Sequence, residues 1–200
     1  MTEATLILAS ASPRRMEILD QLGIPYVARP QDIDESRLDS EDPADYVCRL
    51  ARVKAEAALA AAGKENTACL GSDTTVVCGD AIFEKPVDEE DALRILSALS
   101  GKTHQVLTAV ALATSEQTQV LLSESNVTFR PLSENEIRAY WSSGEPSDKA
   151  GGYGIQGLGA VLVEKMEGSY SGIMGLPVRE TVTLLEKTGL TMERILGGRQ

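Results

Sequence analysis

The sequence predicts an α/β fold, a mixed twisted sheet with helices on its faces. Three observations predict it. Short apolar runs alternate with helical periodicities in the first half of the chain. Hairpin signals cluster in the middle, which requires antiparallel neighbours and argues against a purely parallel doubly wound sheet. Helix start signals stand where the apolar runs end.

Thr5–Ser10 (TLILAS) reads as a buried strand. Ser12-Pro13 then supplies an N-cap followed by Pro at the first helical position. That helix runs through Ile18 and Leu22 and stops at Gly23. Pro25–Arg29 reads as a short strand and Gln31–Glu41 as a polar, acidic loop. Asp42-Pro43 opens a long helix whose Val47, Leu50, Ala51, Ala55 and Ala58 recur on one face. Ala68–Val77 is a strand, and the Gly79-Asp80 turn leads into Ile82–Glu84, a hairpin. Asp88–Leu99 is an amphipathic helix ending near Gly101. Gln105–Ala113 and Val120–Phe129 are long strands that should pair antiparallel. Ser133 to Glu136 has the capping-box pattern and opens a helix to Trp141. Five glycines fall between Gly151 and Gly159. Ala160–Glu164 reads as a strand, Pro177–Thr188 as the last helix, and the tail past Gly197 as frayed.

At 200 residues, the chain suggests one domain spanning 1–200, or two closely packed lobes. A chain this long buries roughly 70% of its unfolded surface. Its net charge is −11, so it is a poor candidate for binding duplex nucleic acid, where affinity comes from neutralising phosphates. A small phosphorylated ligand needs only a local cation cluster. The opening Met-Thr-Glu-Ala lacks the basic residues of a signal peptide. The apolar run Ala4 to Ala9 is short and meets Arg14 and Arg15. No stretch approaches the roughly 18 apolar residues of a membrane span. Cys48, Cys69 and Cys78 lack CxxC spacing and read as free thiols in a reducing compartment. The chain therefore reads as cytoplasmic, with no membrane or nucleic-acid partner.

Ser10-Ala11-Ser12-Pro13-Arg14-Arg15 joins a strand end to a helix start. Backbone N–H groups there carry partial positive charge, the serines add hydroxyls, and the arginines add forks suited to phosphate oxygens. The group fits a polyphosphate cradle. Asp73 ends an apolar strand, where a carboxylate suits Mg²⁺ ligation or the orientation of an attacking water. Glu35 offers a second oxygen ligand; the plainer alternative is a solvated loop acid. Lys54 lies near the edge of an apolar helix stripe and either reaches a cleft or snorkels to solvent. Lys85 precedes Pro86, which restricts its backbone. Gln156 sits in the glycine-rich segment, and its amide can donate and accept at a pyrimidine edge. That segment has no GxxxxGK[ST] pattern and is no Walker A loop. His104, the only histidine, reads as structural. Its isolation argues against a Ser-His-Asp hydrolase and against a His-rich metal site.

These segments are similar, in order, to the signatures of the Maf family. SxSPRR follows an LILAS strand. Asp34-Glu35 stands where the family has an acidic pair. Arg49 to Ala55 resembles its RLAxxKA helix and Gly71 to Thr74 its GxDT strand. Glu84-Lys85-Pro86 resembles EKP, and Leu99 to His104 resembles LSGxTH. Ser143 to Gly157 resembles GEPxDKAGxYxIQG, and Gly175-Leu176-Pro177 completes the set. Each motif is weak alone; eight in register span nearly the whole chain. Thr75 departs from the pattern, where an aliphatic residue is expected.

The resemblance implies a Maf/ITPase-like fold with two lobes flanking a cleft. It implies a nucleoside triphosphate pyrophosphatase, a hydrolase of acid anhydrides that cuts between the α and β phosphates. Asp73 is then the proton acceptor for the attacking water, or a ligand of the metal that activates it. Glu35 and Asp73 hold a divalent cation, Mg²⁺ or Mn²⁺. Ser10, Arg14, Arg15, Lys54 and Lys85 bind the triphosphate. Arg14, Thr74 and Gln156 look like the dTTP/UTP set of specificity residues; a second subgroup acts on 7-methyl-GTP. The family name refers to septum formation, so arrest of cell division, or a binding protein acting on a division partner, is the rival reading. A homodimer is a family-level expectation.

Overall fold

The computed structural model describes residues 5–63 and 67–197; the expectation for the tail past Gly197 lies outside them. β1 (Thr5–Leu8) buries Leu6, Ile7 and Leu8 as its continuous apolar run requires. It pairs in parallel with the two-residue β2 (Val27–Ala28) and with β3 (Thr67–Cys78), setting Ile7 opposite Cys69 and Leu8 opposite Leu70. The sheet order is β2-β1-β3-β5-β6-β7, and β4 (Ala81–Phe83) folds back antiparallel on β3. β5 (Thr103–Ala113) and β6 (Thr118–Phe129) are neighbours joined by a four-residue turn that the Thr114 N–H closes on Gln117 O at 3.0 Å. So short a link makes them antiparallel. The mixed sheet with helices is the predicted fold class.

Two compact units divide the chain. The first comprises Met1–Asp73, Thr108–Ser123 and Gly175–Gln200. It holds α1 (Pro13–Leu22), stopped by the left-handed Gly23, and α2 (Pro43–Ala62). Asp42 caps α2 by accepting from the Ala44 N–H, and the predicted Val47, Leu50, Ala51, Ala55 and Ala58 form its buried face. Ser12 stands at the N-cap position of α1, but its side chain makes no capping bond; its own N–H donates to Ser10 Oγ instead. α6 (Val178–Leu185) continues in a 3₁₀ turn to Thr188, as the helix read over Pro177–Thr188, but it is not the last. The five-residue α5 (Tyr170–Met174), in the second unit, and the six-residue α7 (Met192–Gly197) flank it. Both are too short to show a helical period.

The second unit comprises Thr74–Leu107 and Glu124–Met174. Asp88 caps α3 (Glu89–Leu99), and Ser133 with Glu136 closes the capping box of α4 (Glu134–Ser142). Leu96, Leu99, Phe129 and Ile137 pack in its core. The strand expected over Ala160–Glu164 begins later: Leu158–Leu162 is a 3₁₀ turn and β7 is Val163–Glu167. The apolar run misleads because it does not alternate by strand rules. Val161 is 64% exposed, whereas Leu162 is buried and its carbonyl accepts from the Arg130 N–H.

His104 belongs to this core. It is 1% exposed, with Nε2 2.9 Å from the Tyr153 hydroxyl and Phe129 edge-on at 4.8 Å. Burial lowers its pKa to about 4, against a weaker opposing effect of the Lys102 backbone. The imidazole is therefore neutral in the folded state at pH 7. As pH falls from about 6.5, the unfolded chain takes up a proton that the folded chain refuses until about 4. Stability from this group is present above that window and is lost on descending through it, by about 3 kcal/mol in all. Urea unfolding of wild type and His104→Gln at pH 7 and pH 4.5 should show the gap between them shrinking at low pH. A gap independent of pH would refute the assignment.

Candidate functional site

The site is built in the first unit, where β1, α1, α2 and the front half of β3 meet. Ser10 follows β1 and is buried; its Oγ accepts from Arg15 Nη1 at 3.1 Å as well as from the Ser12 N–H at 3.2 Å. Arg15 Nε donates to Gly175 O at 2.8 Å, so the fork is held at both ends. Burial lowers the Arg15 pKa, and the carboxylates of Asp73 and Glu35 oppose that lowering. Arg14, half-buried, precedes it on α1.

Lys54 is the centre of the group. Its Nζ lies 2.7 Å from Asp73 Oδ1 and 2.7 Å from Glu35 Oε1. The Lys54 side chain is only 11% exposed, so it does not snorkel to solvent. Asp73 is 12% exposed at the side chain, and Glu35 opens to solvent at 52%. Lys54 thus points inward and bridges Asp73 to Glu35, which remains an exposed loop acid. Arg14, Arg15 and Lys54 set three cations against two carboxylates, an excess that favours a polyanion.

Residues that the motif reading passes over hold this cluster. The Tyr46 hydroxyl donates to Glu35 O at 3.0 Å. Arg49 grips Glu41 through Nε (2.6 Å) and Nη2 (2.8 Å), and donates to Ser36 O, tying the acidic loop to α2. That Arg49 bond holds the Glu41 carboxyl down at about 2. Ser72 Oγ lies 2.8 Å from Ala109 O and 2.9 Å from Gly175 O. Arg49 and Ser72 fall within the RLAxxKA and GxDT segments, but Tyr46 and Glu41 carry no signal in the sequence. Their partners are distant along the chain.

Glu35 Oε1 and Asp73 Oδ1 both converge on Lys54 Nζ, so two oxygen donors of the kind Mg²⁺ takes stand side by side with an ammonium between them. Among the described residues no cluster of three or more His, Cys, Asp or Glu could hold a metal by itself. Glu35 and Asp73 would supply two of the ligands of a cation, and the remaining ligands would have to come from elsewhere.

The Maf-like protein family model matches residues 5–188. The chain belongs to the Maf family. It is 54% identical over 185 residues to the dTTP/UTP pyrophosphatase of Saccharophagus degradans, covering 92% of this chain and 88% of that one. It is 54% identical over 186 residues to the enzyme of the same name from Hahella chejuensis, covering 92% of each. The Vibrio parahaemolyticus dTTP/UTP pyrophosphatase is 50% identical over 183 residues, with 92% and 96% covered. Among solved structures, the Staphylococcus aureus Ham1 protein matches with a TM-score of 0.54 over 98% of this chain and 100% of that one. At 14% identity this is a likeness of fold.

In this Maf chain, Lys54 joins Asp73 and Glu35 by direct contacts, Arg15 is joined to Ser10, and the Asp73 and Glu35 carboxylates act electrostatically on Arg15. Thr74, Lys85 and Gln156 lie in the second unit. Thr74 is half-buried on β3, Lys85 is exposed between β4 and α3, and Gln156 is exposed between the 3₁₀ turns 150–152 and 158–162. Cys48, Cys69 and Cys78 are free, and burial pushes the Cys69 thiol up to about 11. Among the described residues no helix is long and apolar enough to cross a membrane.

Proposed function

We propose that this chain hydrolyses dTTP and UTP between the α and β phosphates, releasing the monophosphate and diphosphate. The observation that carries the proposal is Asp73. It is a nearly buried carboxylate held by Lys54 beside Glu35, in the unit that also holds the Arg15–Ser10 pair. Relatives 50–54% identical are dTTP/UTP pyrophosphatases, and they point to the substrate. Water adds across the anhydride, its proton passes to Asp73, and diphosphate leaves. Ser10, Arg14, Arg15 and Lys54 bind and orient the triphosphate, so the barrier falls mainly through positioning and charge neutralisation. Glu35 and Asp73 would hold a divalent cation, which when bound would supply Lewis-acid polarisation of phosphate oxygens. The resemblance assigns Lys85 to the triphosphate, and Arg14, Thr74 and Gln156 to the choice of base.

The test is a panel of dTTP, UTP, CTP, GTP and 7-methyl-GTP, with and without Mg²⁺, the products separated by ion exchange. We expect dTMP and UMP with diphosphate, only when Mg²⁺ is present. Cleavage of 7-methyl-GTP alone would overturn the three specificity residues and keep the reaction. No turnover of any nucleotide would overturn the enzymatic reading.

A further inference from the structure

The loop that carries Gln156 is held at both ends by two side chains that the substrate reading does not use. Glu145 begins the 3₁₀ turn Glu145–Asp148 after α4. Its Oε1 accepts from the Tyr140 hydroxyl at 2.7 Å and from the Gly159 N–H at 2.9 Å; its Oε2 accepts from the Leu158 N–H at 2.8 Å. The Tyr140 hydroxyl accepts in turn from the Gly154 N–H at 3.0 Å. The entry of the loop at Gly154 and its exit at Leu158 and Gly159 therefore hang on one carboxylate–phenol pair. Ile155, Gln156 and Gly157 lie between these anchors.

The fit is close. A Cβ on Gly157 would stand 2.2 Å from Glu145 Oε2, and one on Gly159 would stand 2.6 Å from the Tyr140 hydroxyl oxygen. These glycines let the backbone lie directly against the carboxylate. Lys149 secures the turn from the other side, with Nζ donating to Glu145 O and to Asp148 Oδ1, both at 2.6 Å. Burial pushes the Glu145 carboxyl up, but the Gly159 N–H, the Tyr140 hydroxyl and the Leu158 N–H outweigh it. Glu145 therefore remains a charged acceptor at neutral pH. A charged acceptor with three donors is a strong way to hold backbone.

We propose that Glu145 is a positioning residue for base selection: by gripping both ends of the 154–159 loop, it sets where the Gln156 amide stands. The inference rests on the reading of Gln156 as the residue that tests the base. An amide can tell one base edge from another only if its donor and acceptor are held in place. On a loose loop it can turn to suit either.

The experiment measures kcat/KM for dTTP and GTP, and Tm, in wild type, Glu145→Ala, Glu145→Gln and Gln156→Ala. Glu145→Ala should lose roughly tenfold of the dTTP-over-GTP preference. Glu145→Gln should keep part of it, since its amide oxygen still accepts from Tyr140 and Gly159 while its NH₂ meets the Leu158 N–H. A merely structural role would lower Tm and scale both substrates alike. An unchanged ratio in Glu145→Ala beside a lowered one in Gln156→Ala overturns the inference alone. An unchanged ratio in Gln156→Ala overturns the base-testing role of Gln156 and the inference with it. If Glu145→Ala fails to fold, Tyr140→Phe removes the acceptor for Gly154 and leaves the carboxylate. It should lower the ratio in the same direction, and an unchanged ratio overturns the proposal.

Discussion

Asp73→Asn is expected to lower kcat for dTTP by about a thousandfold, within the range seen when a positioned proton acceptor is removed, while KM stays within a few-fold. Asparagine keeps the shape and one oxygen. Lys54 retains Glu35 as a partner at 2.7 Å, and Arg15 keeps its bonds to Ser10 and Gly175, so the triphosphate cradle is intact. The carboxylate is what is lost, and with it either the proton acceptor or half of the donor pair for a cation. Diphosphate release gives kcat, and calorimetric titration with dTTP gives binding. A variant whose kcat stays within about tenfold of wild type would remove Asp73 from the chemistry. A variant that no longer binds dTTP would make Asp73 part of the binding site and not of the reacting group.

Part of this site was legible because Ser10 and Arg15 sit where a strand ends and a helix begins; Asp73, expected at the end of a strand, lies in the middle of β3, which runs on to Cys78. The strand 5–8 and the helix start at Pro13 place Ser10 and Arg15 by local rules alone, and α2 follows from Asp42-Pro43 and its apolar stripe. Three further things were not legible. The 3₁₀ turn over Leu158–Leu162 hides within an apolar run, because hydrophobicity alone does not show which of Val161 and Leu162 faces inward. Ser12 looks like a capping residue, yet its backbone turns to Ser10 instead. Lys54 looks like an ordinary edge lysine, because periodicity places it on α2 but says nothing of Asp73, 19 residues later, or of a loop acid 19 residues earlier. Tertiary partners at such separations leave no local pattern, and here only the register of whole motifs pointed to them.

That juxtaposition depends on one residue with no side chain. Gly71 lies on β3, two residues before Asp73, where the strand passes α2. A Cβ there would stand 2.2 Å from Ala51 O and 2.7 Å from Ala55 N, both backbone atoms of α2 flanking Lys54. No rotamer change relieves a clash with backbone. β3 cannot retreat easily, because Cys69 and Leu70 are in register with Ile7 and Leu8 and the Ser72 hydroxyl is tied to Ala109 and Gly175. Helix α2 must move outward, opening the packing of Leu50, Ala51 and Ala55. Gly71→Ala should therefore cost about 3 kcal/mol, the upper part of the range for overpacking, and lower Tm by about 10 °C in a chain of this size. Lys54 would be drawn from Asp73 by the same movement, so kcat/KM should fall by about a hundredfold even well below the new Tm. Scanning calorimetry and dTTP turnover at 20 °C check the two effects separately. Adding Ala55→Gly removes only a methyl group 3.1 Å away and leaves the backbone clash, so the double variant should be no more stable than Gly71→Ala. Recovery of wild-type Tm in the double variant would show that side-chain crowding, and not the backbone approach of β3 to α2, sets the distance between Lys54 and Asp73.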